Sequence, residues 1–442
     1  MKLSKLSLIS AIVLGFSGSV YAADTLADAL KNGKVSGELK AWYWDKTVDS
    51  NGHSNNYNIT NFGLELKYIT DEINGFKGGV TFQSNATPFA EADAKVGYVN
   101  EEYASGSVLS EAYLEYMIGK TDIKVGRQYV QSPLIGGSGA RIFRESFQGV
   151  TLVNNDLPDT TMYAYYFDKF QGRTSNISDD GVGGAPSFSD TFIVVYRAKT
   201  DGVYSAGIKN TSIPNLSLSG QYALLENIQM LGGLTSAANA DDINIYFLET
   251  SYLVPMNDFK LKFDASYIGS RAGNSLDRYH MNGDMFQFRA SLLELYGIGA
   301  SIAYSTTSKN DDVIYGVGKA PTGTYTDFFM RGPTHVFEPG TDTYLAKAKY
   351  DLSRVGIKGL NAEIQYLNSK EDAPTVNTVS TNKGVSIDYE GFGYALNYTV
   401  PQIKGLALQL LYTTYDQDKT TALGTHTTTD TDELWFKSGY KF

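Results

Sequence analysis

The 442-residue chain contains no cysteine, so neither a disulfide-stapled scaffold nor a thiolate metal centre is open to it. No internal stretch approaches the ~20 continuous apolar residues of a spanning helix, which excludes a polytopic helical membrane protein. Positive charge is in the minority: 37 Lys and Arg stand against 48 Asp and Glu, a net charge of −11. Nucleic-acid phosphate would be repelled, and no nucleic-acid partner is expected. Histidine is scarce too. His53, His280, His335 and His426 fall in loops or at loop edges without metal-ligand spacing. Catalytic signatures are missing as well. Gly136-Gly137-Ser138-Gly139-Ala140 is one residue short of a nucleophile elbow and lacks its strand-to-helix context. Gly316-Val317-Gly318-Lys319 has the wrong glycine spacing for a phosphate loop, and no helix follows it. Neither an enzyme nor a cofactor is expected; a barrel esterase or phospholipase is the nearest enzymatic alternative. Asp430, Asp432 and Glu433 offer oxygen ligands for Ca²⁺, but a hydrophilic strand end is the plainer reading, and no metal site is assigned.

Export is written at the start. Lys2 and Lys5 precede an apolar run from Leu6 to Phe16, and Val20-Tyr21-Ala22 fits the small-x-small rule. Residues 1–22 are expected to be a signal peptide. In residues 23–33, Thr25 with Asp28 resembles a capping box and Gly33 a stop, so a short helix is expected at the periplasmic side.

From there the chain alternates. Phe62, Leu64, Leu66 and Tyr68 share one strand face, and Asn61, Gly63, Glu65 and Lys67 the other. Leu261, Phe263, Ala265 and Tyr267 oppose Lys260, Lys262, Asp264 and Ser266. Phe392, Tyr394, Leu396 and Tyr398 oppose Gly391, Gly393, Ala395 and Asn397. Short joints such as Gly119–Asp122, Asn155–Asp159 and Pro401–Gly405 take turns with long polar connections such as Gln131–Glu145, Gln171–Asp190 and Thr307–Gly340. Short turns on one side and long loops on the other are the layout of an all-β, transmembrane antiparallel β-barrel over residues 34–442. Tyr and Phe (32 and 22 residues) sit near the ends of the apolar face, as interface girdles do. Counting gives about 18 strands, with 16 as the other even choice, if Asp190–Thr211 is one long interrupted strand. A barrel of that size cannot be filled by wall side chains, so an aqueous channel is expected. The last residues alternate as well, and Leu434, Phe436, Tyr440 and Phe442 on one face look like the C-terminal signal read by the barrel assembly machinery.

Residues 125–153 carry a resemblance. Gly126-Arg127-Gln128, Pro133, Arg141, Phe147 and Gly149 match a motif of the OprD-type outer-membrane porins and the related bacterial major porins; Arg144 departs from it, where the family often has Pro. The resemblance implies that Gln131–Glu145 is the third extracellular loop, folded into the pore, with Arg141, Arg144 and Glu145 as fixed charges at the constriction. Rings of charge there set ion selectivity. Gly136, Gly137 and Gly139 are expected to let the loop turn tightly.

By alternation, Lys124, Arg289, Lys347, Lys349, Glu65, Glu111, Glu115, Glu249 and Glu363 face the lumen. The resemblance adds a basic track for carboxylate-bearing solutes. Arg127 has the parity of a lipid-facing residue; a bulge, a place near the strand end or a protein contact would each accommodate it. The paired acids Asp179-Asp180, Asp241-Asp242 and Asp311-Asp312 are expected either to meet divalent cations at the lipopolysaccharide surface or to solvate loops. The expected function is passive diffusion of small hydrophilic solutes and ions across the bacterial outer membrane. The alternatives are a channel selective for carboxylated molecules and a surface adhesin or receptor barrel. Outer-membrane lipid, lipopolysaccharide and the assembly machinery are the expected partners. Members of the wider family occur as monomers and as trimers, so a homotrimer is one of two expected states.

Overall fold

The computed structural model describes residues 25–176, 182–231, 240–332 and 336–442. The expected signal peptide, the pair Asp179-Asp180 and His335 lie outside the described residues.

Eighteen antiparallel strands close into one barrel. They are β1 (Lys34–Ser50), β2 (His53–Ile69), β3 (Phe76–Ala86), β4 (Ala104–Ile118), β5 (Thr121–Gln128) and β6 (Ser146–Asn154). Then follow β7 (Thr160–Gln171), β8 (Gly202–Asn210), β9 (Leu216–Met230), β10 (Asp241–Pro255), β11 (Lys260–Ala272) and β12 (Asp284–Leu295). The last six are β13 (Ile298–Thr307), β14 (Thr341–Asp351), β15 (Leu360–Glu371), β16 (Ser386–Thr399), β17 (Leu406–Thr420) and β18 (His426–Lys441). Each pairs with its neighbour in sequence, and β18 pairs back onto β1, with Tyr43 opposite Phe436 and Leu39 opposite Tyr440. Phe442 continues that seam by exchanging backbone hydrogen bonds with Gly37. Closure leaves no strand edge for the bilayer to desolvate.

The outer wall is apolar because every second side chain is. Phe62, Leu66, Val80, Leu114, Phe263, Phe288 and Leu410 are all exposed on it. Toward the long-loop end, outward tyrosines donate to carboxylates one step nearer the surface: Tyr267 to Asp284 (2.6 Å), Tyr304 to Asp342 (2.7 Å), Tyr366 to Glu390 (3.0 Å) and Tyr412 to Asp432 (3.0 Å). An amphipathic ring with its hydroxyl toward the water is what an interfacial girdle requires. At the opposite end a helix, Leu26–Lys31, precedes β1. Thr25 caps it by accepting from Asp28 N at 3.1 Å, and Ala29 O ties it to Asp71 in the β2–β3 turn.

Two features differ from the sequence reading. Asp190–Thr211 is not one strand. Residues 191–194 and 196–199 form a small hairpin within the fourth loop, turning at Val195, and only Gly202–Asn210 joins the barrel. The inner wall is not polar throughout. At the extracellular ends of β6–β12 the inward residues Phe147, Phe167, Leu225, Ile243, Ile245, Phe247, Ile268 and Met285 pack on Leu134, Ile135, Phe192, Val194, Ile314 and Val317 from the loops. Loops that enter the lumen displace its water, so apolar wall residues are favoured there as in a soluble core. At the chain end the plainer reading of Asp430, Asp432 and Glu433 as a hydrophilic strand end fits the geometry: Asp430 and Asp432 point outward while Glu433 points inward to Arg331 at 2.9 Å, so the three cannot share a cation.

The alternation makes a direct forecast. Phe288→Arg, on the lipid face, should cost about 2–4 kcal/mol, whereas Ser301→Arg, facing the lumen, should cost little. Reversible denaturant unfolding in lipid vesicles measures both; equal costs would mean the faces are assigned wrongly.

Candidate pore constriction

Residues 129–145, the third extracellular loop, run through the lumen and zip onto the seventh loop, residues 308–340. Gly136 N donates to Val317 O (2.9 Å), Val317 N to Leu134 O (2.8 Å), Ala320 N to Gly136 O (3.0 Å) and Gly323 N to Pro133 O (3.0 Å). The glycines serve this crossing differently from what the sequence suggested. None of Gly136, Gly137 and Gly139 has a positive φ. A Cβ on Gly136 would lie 2.1 Å from Ala320 O, and one on Gly137 2.7 Å from Glu145 O. Close backbone approach, not turning, is what requires glycine at these two positions.

A buried peptide group needs a partner. The barrel wall supplies it with inward glutamines. Gln83 on β3 accepts from Arg144 N (2.8 Å) and donates to Arg144 O (2.9 Å). Gln221 on β9 accepts from Leu134 N (2.9 Å) and donates to Ser132 Oγ (3.0 Å). Gln287 on β12 accepts from Tyr325 N (2.9 Å) and donates to Gly323 O (2.8 Å). Gln365 on β15 accepts from Phe329 N (3.1 Å). Phe328 and Phe329 lie on the inward glycines of β16; a Cβ on Gly393 would be 2.7 Å from the Phe329 ring.

Of the three expected constriction charges, two are locked inside this packing. Arg141 is 6% exposed and Glu145 0%. Arg141 donates to Glu101 (2.5 Å) and to Met330 O (2.8 Å), and its guanidinium lies 4.4 Å from the Trp435 ring and 5.0 Å from that of Trp44. Arg173 bridges Glu101 (2.6 Å) and Glu145 (3.2 Å). Glu145 also accepts from Ser138 N (2.8 Å) and Lys319 N (2.9 Å). Burial raises the Glu101 carboxyl, but Arg141 and Arg173 overcome it and hold it at about 2. Arg144 stands apart. It is half-buried, with its guanidinium 4.0 Å from the Tyr129 ring.

The expected wall charges lie on the inner face, largely in pairs. Lys40–Glu65 (3.5 Å), Lys67–Glu111 (2.8 Å) and Lys124–Glu115 (3.2 Å) line β1–β5. Asp264 on β11 holds Lys262 (2.8 Å) and Arg289 (2.9 Å). Glu249 accepts from Tyr325 OH at 2.6 Å, and Lys347 donates to Asp327 O at 3.0 Å. Lys349 sits opposite Glu363 across β14 and β15. Lys262, Asp264, Arg289, Lys347, Lys349 and Glu363 together line a recess of about 310 Å³. Arg127 is the next-to-last residue of β5, on the outer rim, donating to Leu109 O (3.2 Å) and Gln148 Oε1 (3.3 Å) beside Phe188 (4.4 Å). Its place at the strand end accommodates it. Asp241 and Asp242, the first residues of β10, accept from Ser275 N and Asn227 N, and Asp312 of the seventh loop accepts from Ser380 N.

Residues 95–442 match the model of the outer membrane porin, OprD family. The chain belongs to the OprD family. This porin is similar in fold to OccAB2 of Acinetobacter baumannii (TM-score 0.73, 17% identity, 94% of this chain and 99% of that one). It is likewise similar to OpdQ of Pseudomonas aeruginosa (0.70, 16%, 94% and 99%) and to OprD of the same species (0.68, 14%, 95% and 97%). No curated protein sequence matches it. Membership places the chain in the bacterial outer membrane, among its lipids, as a channel for small hydrophilic solutes and ions.

Sequence reasoning missed Glu101, Arg173 and Lys319, which come from three other segments and carry no local signal. It also missed the glutamines, which share the inward parity of the wall charges. Glu102 in the same porin gives a pH test. It accepts from Ile142 N (3.2 Å), and burial pushes its carboxyl up to about 7. A raised carboxyl favours the folded state at low pH and weighs against it as pH rises from the ordinary carboxylate range through 7. Glu102→Gln should therefore raise the thermal transition at pH 8, and the gain should vanish by pH 5. A gain of equal size at both would contradict the burial argument.

Proposed function

We propose that this porin is a restricted, solute-selective channel, with a preference for small carboxylate-bearing molecules, in place of a wide diffusion pore. The observation that carries the reading is the recess on β11–β15, lined by Lys262, Arg289, Lys347 and Lys349 with Asp264 and Glu363, and with Asp327 beside Lys347. Four cations against three carboxylates, held on neighbouring strands of one wall, leave a net positive charge that attracts a carboxylate. The filling of the extracellular half by the third and seventh loops supports a narrow water path. In that path Arg144 is the constriction charge that meets a solute, and Arg141 and Glu145 hold the loop in place. The inward course of the third and seventh loops weighs against an adhesin. Residues 1–22 direct export and are removed, and Leu434, Phe436, Tyr440 and Phe442 are the face presented to the assembly machinery.

Planar-bilayer recording tests this. The expected result is a small single-channel conductance, blocked saturably by a dicarboxylate such as succinate. Lys349→Gln should weaken the block several-fold, by removing one contact worth about 1 kcal/mol. Arg144→Gln should shift ion selectivity toward cations. A large ohmic conductance that succinate leaves unchanged would overturn the selective reading.

A further inference from the structure

At ~100° per residue, Leu26, Ala29 and Leu30 fall on one side of the helix Leu26–Lys31, and Asp28 and Lys31 on the other. The apolar side has two fates. Ala29 is 1% exposed, held toward the β2–β3 turn, where its carbonyl accepts from Asp71 N at 2.9 Å. Leu26 and Leu30, one turn apart on the same stripe, are 65% and 50% exposed. On the polar side Asp28 accepts from Thr25 Oγ1 at 2.7 Å, and Lys31 is exposed.

Tyr68 fixes where those leucines lie. It is the next-to-last residue of β2 and shares the outward parity of the exposed Phe62 and Leu66. Exposed Tyr252 and Tyr440 stand at the same end of β10 and β18, so the three belong to the periplasmic aromatic belt of the outer wall. Belt aromatics sit at the level of the lipid headgroups. The Tyr68 hydroxyl donates to Leu30 O, and its ring lies so close to Gly33 that no Cβ would fit there. The helix end is therefore held beside a belt residue, on the outside of the barrel and at headgroup level. Val35 at the start of β1 and Phe442, whose ring lies on Gly37, are exposed and continue the apolar surface from the wall toward the helix. An exposed apolar patch that extends a lipid-facing wall marks a membrane contact.

We infer that Leu26–Lys31 is an interfacial foot that lies along the inner leaflet of the outer membrane and sinks Leu26 and Leu30 among phospholipid acyl chains. Helices of this kind bury their apolar face ~5–10 Å into the boundary between headgroups and chains and keep the polar face wet. Here Asp28 and Lys31 form the wet side. The foot is joined directly to β1, so it anchors the strand on which β18 closes the barrel.

Tryptophan fluorescence tests this with little background. Of the three tryptophans in the chain, Trp44 and Trp435 are 5% and 2% exposed, and Trp42 shares their inward parity, so none meets lipid. The full mature chain carrying Leu30→Trp is folded into nanodiscs of phospholipid brominated either just below the headgroup or near the chain end. Shallow bromine should lower the added emission about twofold or more, deep bromine should lower it less, and aqueous iodide should reach it little. Lys31→Trp, on the polar side, should show the reverse, open to iodide and spared by bromine. The wild type should change little with either quencher. Heat-modifiable migration on a gel confirms that each variant is folded. If Leu30→Trp does not fold, Leu26→Trp takes its place with the same expectation. Equal iodide access in Leu30→Trp and Lys31→Trp would overturn the foot, because both sides would then face water. Shielding of Leu30→Trp from both quenchers would overturn it too, by placing the side chain against protein. So would stronger quenching by deep bromine than by shallow bromine, which no helix at the interface can give.

Discussion

The structure rests on a hydrogen-bond constraint. Two extracellular loops enter the barrel, and their peptide groups leave water there. Each unsatisfied group would cost about 1–3 kcal/mol. Part of the debt is met by one loop pairing with the other, and the rest by wall glutamines. An amide side chain suits this role because it offers both a donor and an acceptor, as the peptide group does. Gln83 shows the full form, taking the N–H and the C=O of Arg144 at once. A charged residue in its place could satisfy only one of the two and would have to be desolvated as well.

Once the loops are fixed, the lumen divides. On one side, toward the extracellular ends of β6–β12, it has become an apolar core. On the other, along β1–β5 and β11–β15, the inner wall carries charges that are largely paired with one another. The closely packed cluster of Glu101, Arg141, Arg173 and Glu145 lies where loops from three parts of the chain meet. Its charges act on each other in a low-dielectric setting, which favours a single loop arrangement over a mobile one. Selectivity is then left to the groups that still face solvent. On the proposed reading, this family member narrows its channel by packing and tunes it with a few exposed cations.

Much of this was legible in the residue order, and the reasons are local. Strand parity assigned Phe288 to lipid and Arg289 to the lumen because successive side chains point to opposite faces. The motif around Gly126-Arg127-Gln128 located the inward loop. Parity could not say what an inward residue meets: Glu249 was read as lumen-facing, and it accepts from Tyr325, while Phe247, two residues earlier on the same face, packs in a core. Nor could it show that Arg141 and Glu145 are consumed by partners. Those partners lie 28 to 40 or more residues away in other loops, where no periodicity connects them. The hairpin within Asp190–Thr211 was misread because its short apolar alternation is that of a strand, and only the packing on Phe170 and Leu225 tells an inner loop from a wall.

Amide hydrogen exchange on the folded protein in lipid nanodiscs tests the central claim most directly. If wall glutamines lock the third and seventh loops inside, the amides of Leu134, Arg144, Tyr325 and Phe329 should exchange as slowly as those of the barrel strands. If these four exchange as fast as the exposed turn at Gly424, the loops are not held in the lumen and the account fails.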